Sequence, residues 1–288
     1  MKVSVIIPTY NRKRSLIRCL NALPKDVEII VVDDGGTDGT ADIIHEVNHP
    51  DLILVRQSNS GPASARNAGI SRATGEYLAF TDDDCVPQPP WPWPLVERLR
   101  DSSPDIAGIG GKVVPLGKGL ISRYYAYHRI LEPPESCSYI VTANCVYRAD
   151  VLGKSGGFNA NIRHAGGEDP GLSFAVRAMG YRLAYYNEAV VAHDFRSGVI
   201  DFCETFYRYG KGCAQIGLAE NGSPIALHEL VPSPITFTSI HDGVKWHWNR
   251  YAADNLRTSE RIKFLPLVVL QRFSYNFGWR AGTKIVAT

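Results

Sequence analysis

Three consecutive carboxylates, Asp82, Asp83 and Asp84, close the run YLAFTDDDC. Charges packed that closely repel one another, and nothing else in the run offsets them. Hard divalent cations take carboxylate oxygens, and Mg²⁺ or Mn²⁺ characteristically binds one or two carboxylates together with phosphate oxygens. Alternate residues of a strand project to the same side, so Asp82 and Asp84 can face one ligand while Asp83 points elsewhere. A diphosphate with a divalent ion accounts for the charge density. The plain alternative is aspartates filling turns and helix caps.

Other clusters carry compatible chemistry. In VVDDGGTDGT, Asp33 and Asp34 can accept from a base N–H or from ribose hydroxyls, while Gly35 and Gly36 let the backbone approach a ligand closely. No GKS or GKT follows and GxGxxG is absent, so this is neither a Walker loop nor a dinucleotide fingerprint. A strand-to-helix turn capped by Thr37 or Asp38 is the simpler reading. In PTYNR, Tyr10 can stack on a base and Thr9 can bond to it. Arg66 in ARNAG can pair with a carbonyl or a phosphate. In GGEDPGL, Asp169 precedes Pro170 as an N-cap would, and Glu168 or Asp169 could instead serve as a general base at a helix mouth. His193 ends the apolar run of VVAHDFR and could complete a metal site with the aspartates.

The elements that must position these groups alternate regularly through the first hundred residues. KVSVIIP, VEIIVVDD, LILVRQ and GEYLAF are continuous apolar runs with β-branched content. Helical patterns separate them, near 15–23, over GTDGTADIIHEV and from Pro62 onward. That alternation predicts an α/β fold with a Rossmann-like, mostly parallel sheet flanked by helices. Ligands of such sheets bind beyond the carboxyl ends of the strands, where PTYNR, DDGGTDGT and TDDDC all fall. Further along, IAGIGGKVV, YIVTANCVY, YRLAYY and AVVAH read as strands, and EDPGLSFAVRAMG reads as a helix. PQPPWPWP cannot be regular and leads into a helix at 95–100. From Val199 the expectation is an amphipathic helix over VIDFCETFYRYGKGCAQIGL, then a polar irregular stretch to about Asp254. A last helical segment, RIKFLPLVVLQRFSYNFGWRAG, is interrupted at Pro266. The predicted organisation is an α/β domain over 1–197 and a mainly helical extension over 198–288.

Composition is ordinary for a globular chain. The 288 residues are 44% hydrophobic and 21% charged with net charge +2, which gives no reason to expect a nucleic-acid partner. The six cysteines lack paired spacing and read as reduced thiols. No run reaches the ~18 apolar residues of a membrane span, so a cytoplasmic protein is expected.

Taken in order, VSVIIPTYNR, EIIVVDDGGTDGT, NSGPASARNAGISRATGEYLAFTDDDCVP and GGFNANIRHAGGEDPGLSFAVRAMGYRLAYYNEAVVAHDFR resemble the family-two glycosyltransferases with the GT-A fold. The resemblance spans roughly residues 2 to 196, and it implies that 1–197 is a catalytic domain with nucleotide-sugar binding in about 1–115 and the acceptor side in about 116–197. It implies inverting transfer from a nucleotide-diphospho-sugar, usually a UDP-sugar, to an acceptor hydroxyl, assisted by Mn²⁺ or Mg²⁺. It also implies nucleotide contacts at Pro8, Thr9, Tyr10, Arg12, Asp33, Asp34, Arg66, Asp82 and Asp83. Asp84, Asp82 and His193 would be the metal ligands, and Asp169, with its neighbour Glu168, the base. Thr81 stands where a leucine is usual, Gly36 where a serine is common, and Gly171 where an acidic residue is frequent. The processive QxxRW element is absent, which favours addition of a single sugar. The competing expectations are a catalytically inactive nucleotide-sugar-binding protein and a sugar nucleotidyltransferase, whose glycine-rich basic loop IIPTYNRKR lacks. The acceptor is left open between a glycan, a lipid-linked and a small-molecule hydroxyl. In the C-terminal region, Phe206, Tyr207 and 264–279 would pack on the catalytic domain, form a homo-oligomer contact, or dock at the inner membrane face.

Overall fold

The computed structural model describes residues 1–44, 47–134, 136–219 and 237–286. It divides into two units, one of 1–116, 129–163 and 168–194, the other of 117–128, 164–167 and 195–288.

In the first unit the chain runs β1 (Val3–Thr9), α1 (Lys13–Asn21), β2 (Glu28–Asp33), α2 (Thr40–Ile43), β3 (Leu52–Arg56), α3 (Pro62–Ile70) and β4 (Tyr77–Phe80). It continues through β5 (Cys85–Pro87), α4 (Trp93–Arg100), β6 (Ile106–Pro115), β7 (Cys145–Arg148), α6 (Ala149–Ser155), α7 (Glu168–Ala178) and β8 (Arg182–His193). The helix α5 (Leu120–His128), between β6 and β7 in the chain, belongs to the second unit.

The strands form one sheet in the order β3-β2-β1-β4-β7-β6-β8-β5. Every residue of β2 is buried, which is why it reads as an unbroken apolar run. Its alternate residues feed two cores. Val5, Ile7, Ile29 and Val31 pack with Leu16 and Leu20 of α1 and Leu95 and Leu99 of α4. Ile6, Ile30 and Val32 pack with Ala63 and Ala65 of α3, Leu152 of α6 and Leu172 of α7. Strands β3, β2, β1 and β4 are parallel, with Thr9 opposite Asp33 and Ile6 opposite Phe80. The chain order reverses between β1 and β4, so the crevice of a doubly wound sheet opens there.

Beyond β4 the sheet is mixed: β7 is antiparallel to both β4 and β6, and β5 is antiparallel to β8. The strand expected over YIVTANCVY begins only at Cys145, because the Thr142 N–H is bonded to the Asp169 carboxylate and not to a neighbouring strand. YRLAYY and AVVAH form one strand, β8, whose pairing with β6 jumps from Gly111/Tyr186 to Lys112/Val190. The extra residues bulge out there. Of the helix expected over 36–47, Thr40–Ile43 is helical: Gly39 at φ +76° delays its start, and residues 45 and 46 lie outside the described residues.

The second unit contains α5, α8 (Val199–Ala219), α9 (Phe237–Ala253) and α10 (Thr258–Val286). Tyr124 of α5 meets Phe202 of α8 and Phe264 of α10 edge to face. A methyl group on Gly210 would overlap the Tyr275 carbonyl, and one on Gly278 the Tyr207 carbonyl, so α8 and α10 cross with backbones in contact. The irregular stretch expected to Asp254 needs correction over Phe237–Ala253, which is helical; its earlier part, 220–236, lies outside the described residues. The less exposed positions 243, 244, 247, 248 and 251 recur at helical spacing, but His247 and Trp248 carry that face and obscure it as an apolar pattern. Pro266 does not interrupt α10. It removes one backbone hydrogen bond, and burial of Phe264, Leu267 and Val268 around it holds the helix together.

Candidate active site

The aspartate run is fixed from two sides. Thr81 turns inward and donates to the Ala143 carbonyl at 3.0 Å, and the Cys85 N–H donates to the Asp82 carbonyl at 3.0 Å. Strand β5 then pairs with the end of β8, with Cys85 opposite His193, and the Asp194 N–H donates to the Asp84 carbonyl at 2.9 Å. This pairing carries His193 to the aspartates across more than a hundred residues of chain. One carboxylate oxygen each from Asp82 and Asp84, the Cys85 sulfur and a ring nitrogen of His193 lie within 4.8 Å of one another. His193 Nε2 is 3.3 Å from Asp84 Oδ1.

Basic and hydroxyl groups from the end of β1 meet the same aspartates. Arg12 Nη1 donates to Asp84 Oδ2 and lies 3.7 Å from Asp83 Oδ1, while Thr9 Oγ1 donates to Asp83 Oδ2 at 2.8 Å. Burial pushes the Asp83 carboxyl up to about 8, and the neighbouring Asp84 adds to the rise. Burial pushes Asp84 the same way, but His193 and Arg12 outweigh it and hold this carboxyl below its usual range. Asp84 is thus the better anion of the two. Two carboxylates and an imidazole within such a span are an oxygen and nitrogen donor set, and they fit a divalent cation of the Mn²⁺ or Mg²⁺ kind.

A second constellation stands at the mouth of α7, where Pro170 occupies the first turn. Thr142 donates to Asp169 twice, from Oγ1 at 2.8 Å and from its backbone N–H at 3.1 Å. Arg66, 4% exposed on α3, joins the two constellations. Its Nη2 donates to Asp82 Oδ1 at 2.8 Å, and its Nη1 donates to Glu168 Oε1 at 3.0 Å and lies 3.9 Å from Asp169 Oδ1. The guanidinium also sits over the Phe158 ring, 5.7 Å from its centroid. Burial and the adjacent Glu168 raise the Asp169 carboxyl to about 7, against the opposing pull of Arg66. Three carboxylates around one cation leave this site short of positive charge.

The remaining expected positions sit on the β1 and β2 exits. Tyr10 is 48% exposed, and Pro8 just before it is half-buried. Asp33 accepts from the Gly36 N–H at 2.8 Å and pairs with Arg56 at 3.2 Å. Asp34 accepts from Gln57 Nε2 at 2.7 Å and from the Ser60 and Gly61 N–H groups, each at 2.9 Å. Both aspartates are buried and shape the loops at the β2 exit. The sequence reading gave no site role to Thr142, Phe158, Cys85 or the 57–61 loop. Cys85 alone had a signal, as the neighbour of Asp84 on a strand aligned with His193.

This arrangement defines a GT-A-type α/β domain with an acidic, cation-ready crevice at its strand ends. The family model described as glycosyl transferase family 2 matches residues 4–156, and the chain belongs to that family. The match includes Asp82 and Asp84, while Glu168, Asp169 and His193 lie beyond its end. Among curated relatives, the chain is similar to the pre-mycofactocin glycosyltransferase of Mycobacterium tuberculosis, 31% identical over 228 residues. That alignment covers 75% of this chain and 47% of the relative, so the chain spans about half its length. Glycosyltransferase AglE of Haloferax volcanii is 32% identical over 233 residues, 76% of this chain and 75% of that protein. Among solved structures, the mannosyltransferase PcManGT from Pyrobaculum calidifontis in complex with GDP-Man and Mn²⁺ matches with a TM-score of 0.63 and 20% identity, covering 96% of this chain and 87% of that one. S. aureus TarS 1–349 in complex with UDP-GlcNAc gives 0.54 and 20%, covering 99% and 91%. At these identities the structural likeness speaks for the fold.

Proposed function

We propose that the protein is an inverting, non-processive glycosyltransferase that moves one sugar from a nucleoside-diphosphate sugar, a UDP-sugar first among the candidates, to an acceptor hydroxyl. The observation that carries this reading is the meeting of the Asp82, Asp84 and His193 donor set with Asp169 through a single buried arginine. A divalent ion held by Asp84, Asp82 and His193 would neutralise charge building on the departing diphosphate. Tyr10 offers its exposed ring to the base, and Asp33 and Asp34 hold the loops beside it. Arg12 is placed to meet phosphate oxygens as well as Asp84.

Asp169 is the group for the acceptor. Its side chain is 12% exposed whereas that of Glu168 is 3%, so the aspartate keeps the open edge. A carboxyl near 7 accepts a proton from a hydroxyl more readily than an ordinary aspartate, and still ionises at neutral pH. Thr142 fixes its orientation with two hydrogen bonds. The acceptor oxygen then attacks the anomeric carbon from the face opposite the diphosphate, and its proton passes to Asp169.

The solved neighbours carry GDP-Man in one case and UDP-GlcNAc in another, so a binding experiment must distinguish the nucleotides. A thermal-shift panel of UDP-, GDP- and other nucleotide sugars, with and without Mn²⁺, tests the reading. A donor present at a hundred times its Kd stabilises the native state by about 2.7 kcal/mol. One nucleotide class should raise Tm in wild type and raise it less in Asp84→Ala. A panel that shifts nothing would remove the nucleotide-sugar reading.

Two other readings remain behind this one. Binding without turnover would mark an inactive nucleotide-sugar-binding protein. Release of pyrophosphate from a nucleoside triphosphate and a sugar phosphate would mark a nucleotidyltransferase.

A further inference from the structure

The family resemblance assigns Arg66 to the nucleotide and Glu168 to catalysis, but the side chains point elsewhere. Both are buried, Arg66 to 4% and Glu168 to 3% exposure. Each terminal nitrogen of Arg66 is bonded to a carboxylate of the chain, and the guanidinium plane rests over Phe158. Neither group presents a free face to a substrate. One nitrogen, Nη1, is nevertheless shared unequally between neighbours, at 3.0 Å from Glu168 and 3.9 Å from Asp169.

We infer that Arg66 and Glu168 are a positioning pair that sets the charge facing Asp169, with Glu168 holding the guanidinium nitrogen that would otherwise bond the base. The inference rests on the reading of Asp169 as that base. Glu168 acts twice in the same direction. It adds a negative charge beside Asp169, and it draws Arg66 Nη1 toward itself. Arg66 acts in the opposite direction, as the cation facing three carboxylates. The other ionisable groups facing Asp169 are Asp82 at the end of β4 and Cys145 and Tyr147 on β7. The Cys145 thiol and the Tyr147 phenol are held neutral by full burial, so the balance lies among Arg66, Glu168 and Asp82.

A salt bridge that merely braces two elements would loosen the fold when either partner is removed. A charge-setting pair moves one titration in opposite directions. The test needs no donor or acceptor: protein labelled with ¹³C at the aspartate carboxyl carbons is titrated by NMR, and the Asp169 resonance is identified by its loss in Asp169→Asn. In Glu168→Gln the Asp169 midpoint should fall by about one pH unit or more; in Arg66→Met it should rise by about one to three. Arg66→Lys, which keeps the charge, should stay closer to wild type than Arg66→Met does. If Arg66→Met does not fold, the Glu168→Gln titration decides. A midpoint that stays or rises in Glu168→Gln would overturn the inference, as would one that stays in folded Arg66→Met. Failure of the base assignment is seen separately, as undiminished sugar transfer by Asp169→Asn while these midpoints still move apart.

Discussion

His193 Nε2 lies 3.3 Å from Asp84 Oδ1 because Cys85 and His193 are register partners across β5 and β8. A three-residue strand thus brings a histidine near the end of the sheet to the aspartates that follow β4. Metal binding should depend on both residues. Titrating the protein with Mn²⁺ and following the free ion by EPR should show one saturable site in wild type. Asp84→Ala should abolish it, since a carboxylate held below its usual range is gone. His193→Ala should weaken it less, since both carboxylates of the donor set remain. Equal Mn²⁺ affinity in all three proteins would place the ion elsewhere.

The raised Asp169 carboxyl fixes a pH dependence. A base works only when unprotonated, so kcat/KM should fall about tenfold per pH unit below a midpoint near 7 and level off above it. The same shift acts on the fold. A carboxyl whose midpoint is higher in the native protein than in the unfolded chain favours folding at low pH, and that contribution is lost as pH rises through about 7. Activity and this part of stability should therefore run in opposite directions. An acid limb centred near 4 would mean that burial and Glu168 do not act on the proposed base.

Asp34 offers a check on how much of the β2 exit is scaffold. It accepts from a side-chain amide and two backbone N–H groups, and each donor stranded by its removal costs about 1–3 kcal/mol if water does not reach it. Asp34→Ala should lower the urea midpoint without any ligand present. An unchanged midpoint would mean that the side chain serves the ligand alone.

Helix packing in the second unit makes an unusual stability prediction. Replacing a helical glycine by alanine ordinarily gains up to about 1 kcal/mol. At Gly278 the added methyl meets the Tyr207 carbonyl of α8, and overpacking of this kind costs about 1–3 kcal/mol. Gly278→Ala should therefore lower the urea midpoint, and a higher midpoint would show that α8 and α10 can separate at no cost.

What the sequence revealed and what it concealed follow from the range of the interactions. Strands β1, β2 and β4 were legible because each is buried along most of its length and bounded by turn residues, so local pattern and final environment agree; β3, only half-buried, was legible from its β-branched apolar run. Asp82, Asp84 and Asp169 stood out in the sequence because charge at a strand end or helix mouth is costly without a partner. The inward bonding of Arg66 was not, since it depends on Asp82 and Glu168 arriving from separate elements, 16 and 102 positions away. Helix α9 was hidden for a different reason: its packed face is built from histidine and aromatic residues with polar atoms. Among the described residues no helix is long and apolar enough to cross a membrane.

The central claim is that Asp169 takes the proton from the attacking hydroxyl at a crevice that binds a nucleotide sugar. Its most direct test is the rate of nucleoside diphosphate release by Asp169→Asn from the donor chosen by thermal shift, water serving as acceptor. Release should be slower than wild type by about 10²–10⁴-fold, with the donor-induced Tm shift preserved. Release at the wild-type rate would contradict the account.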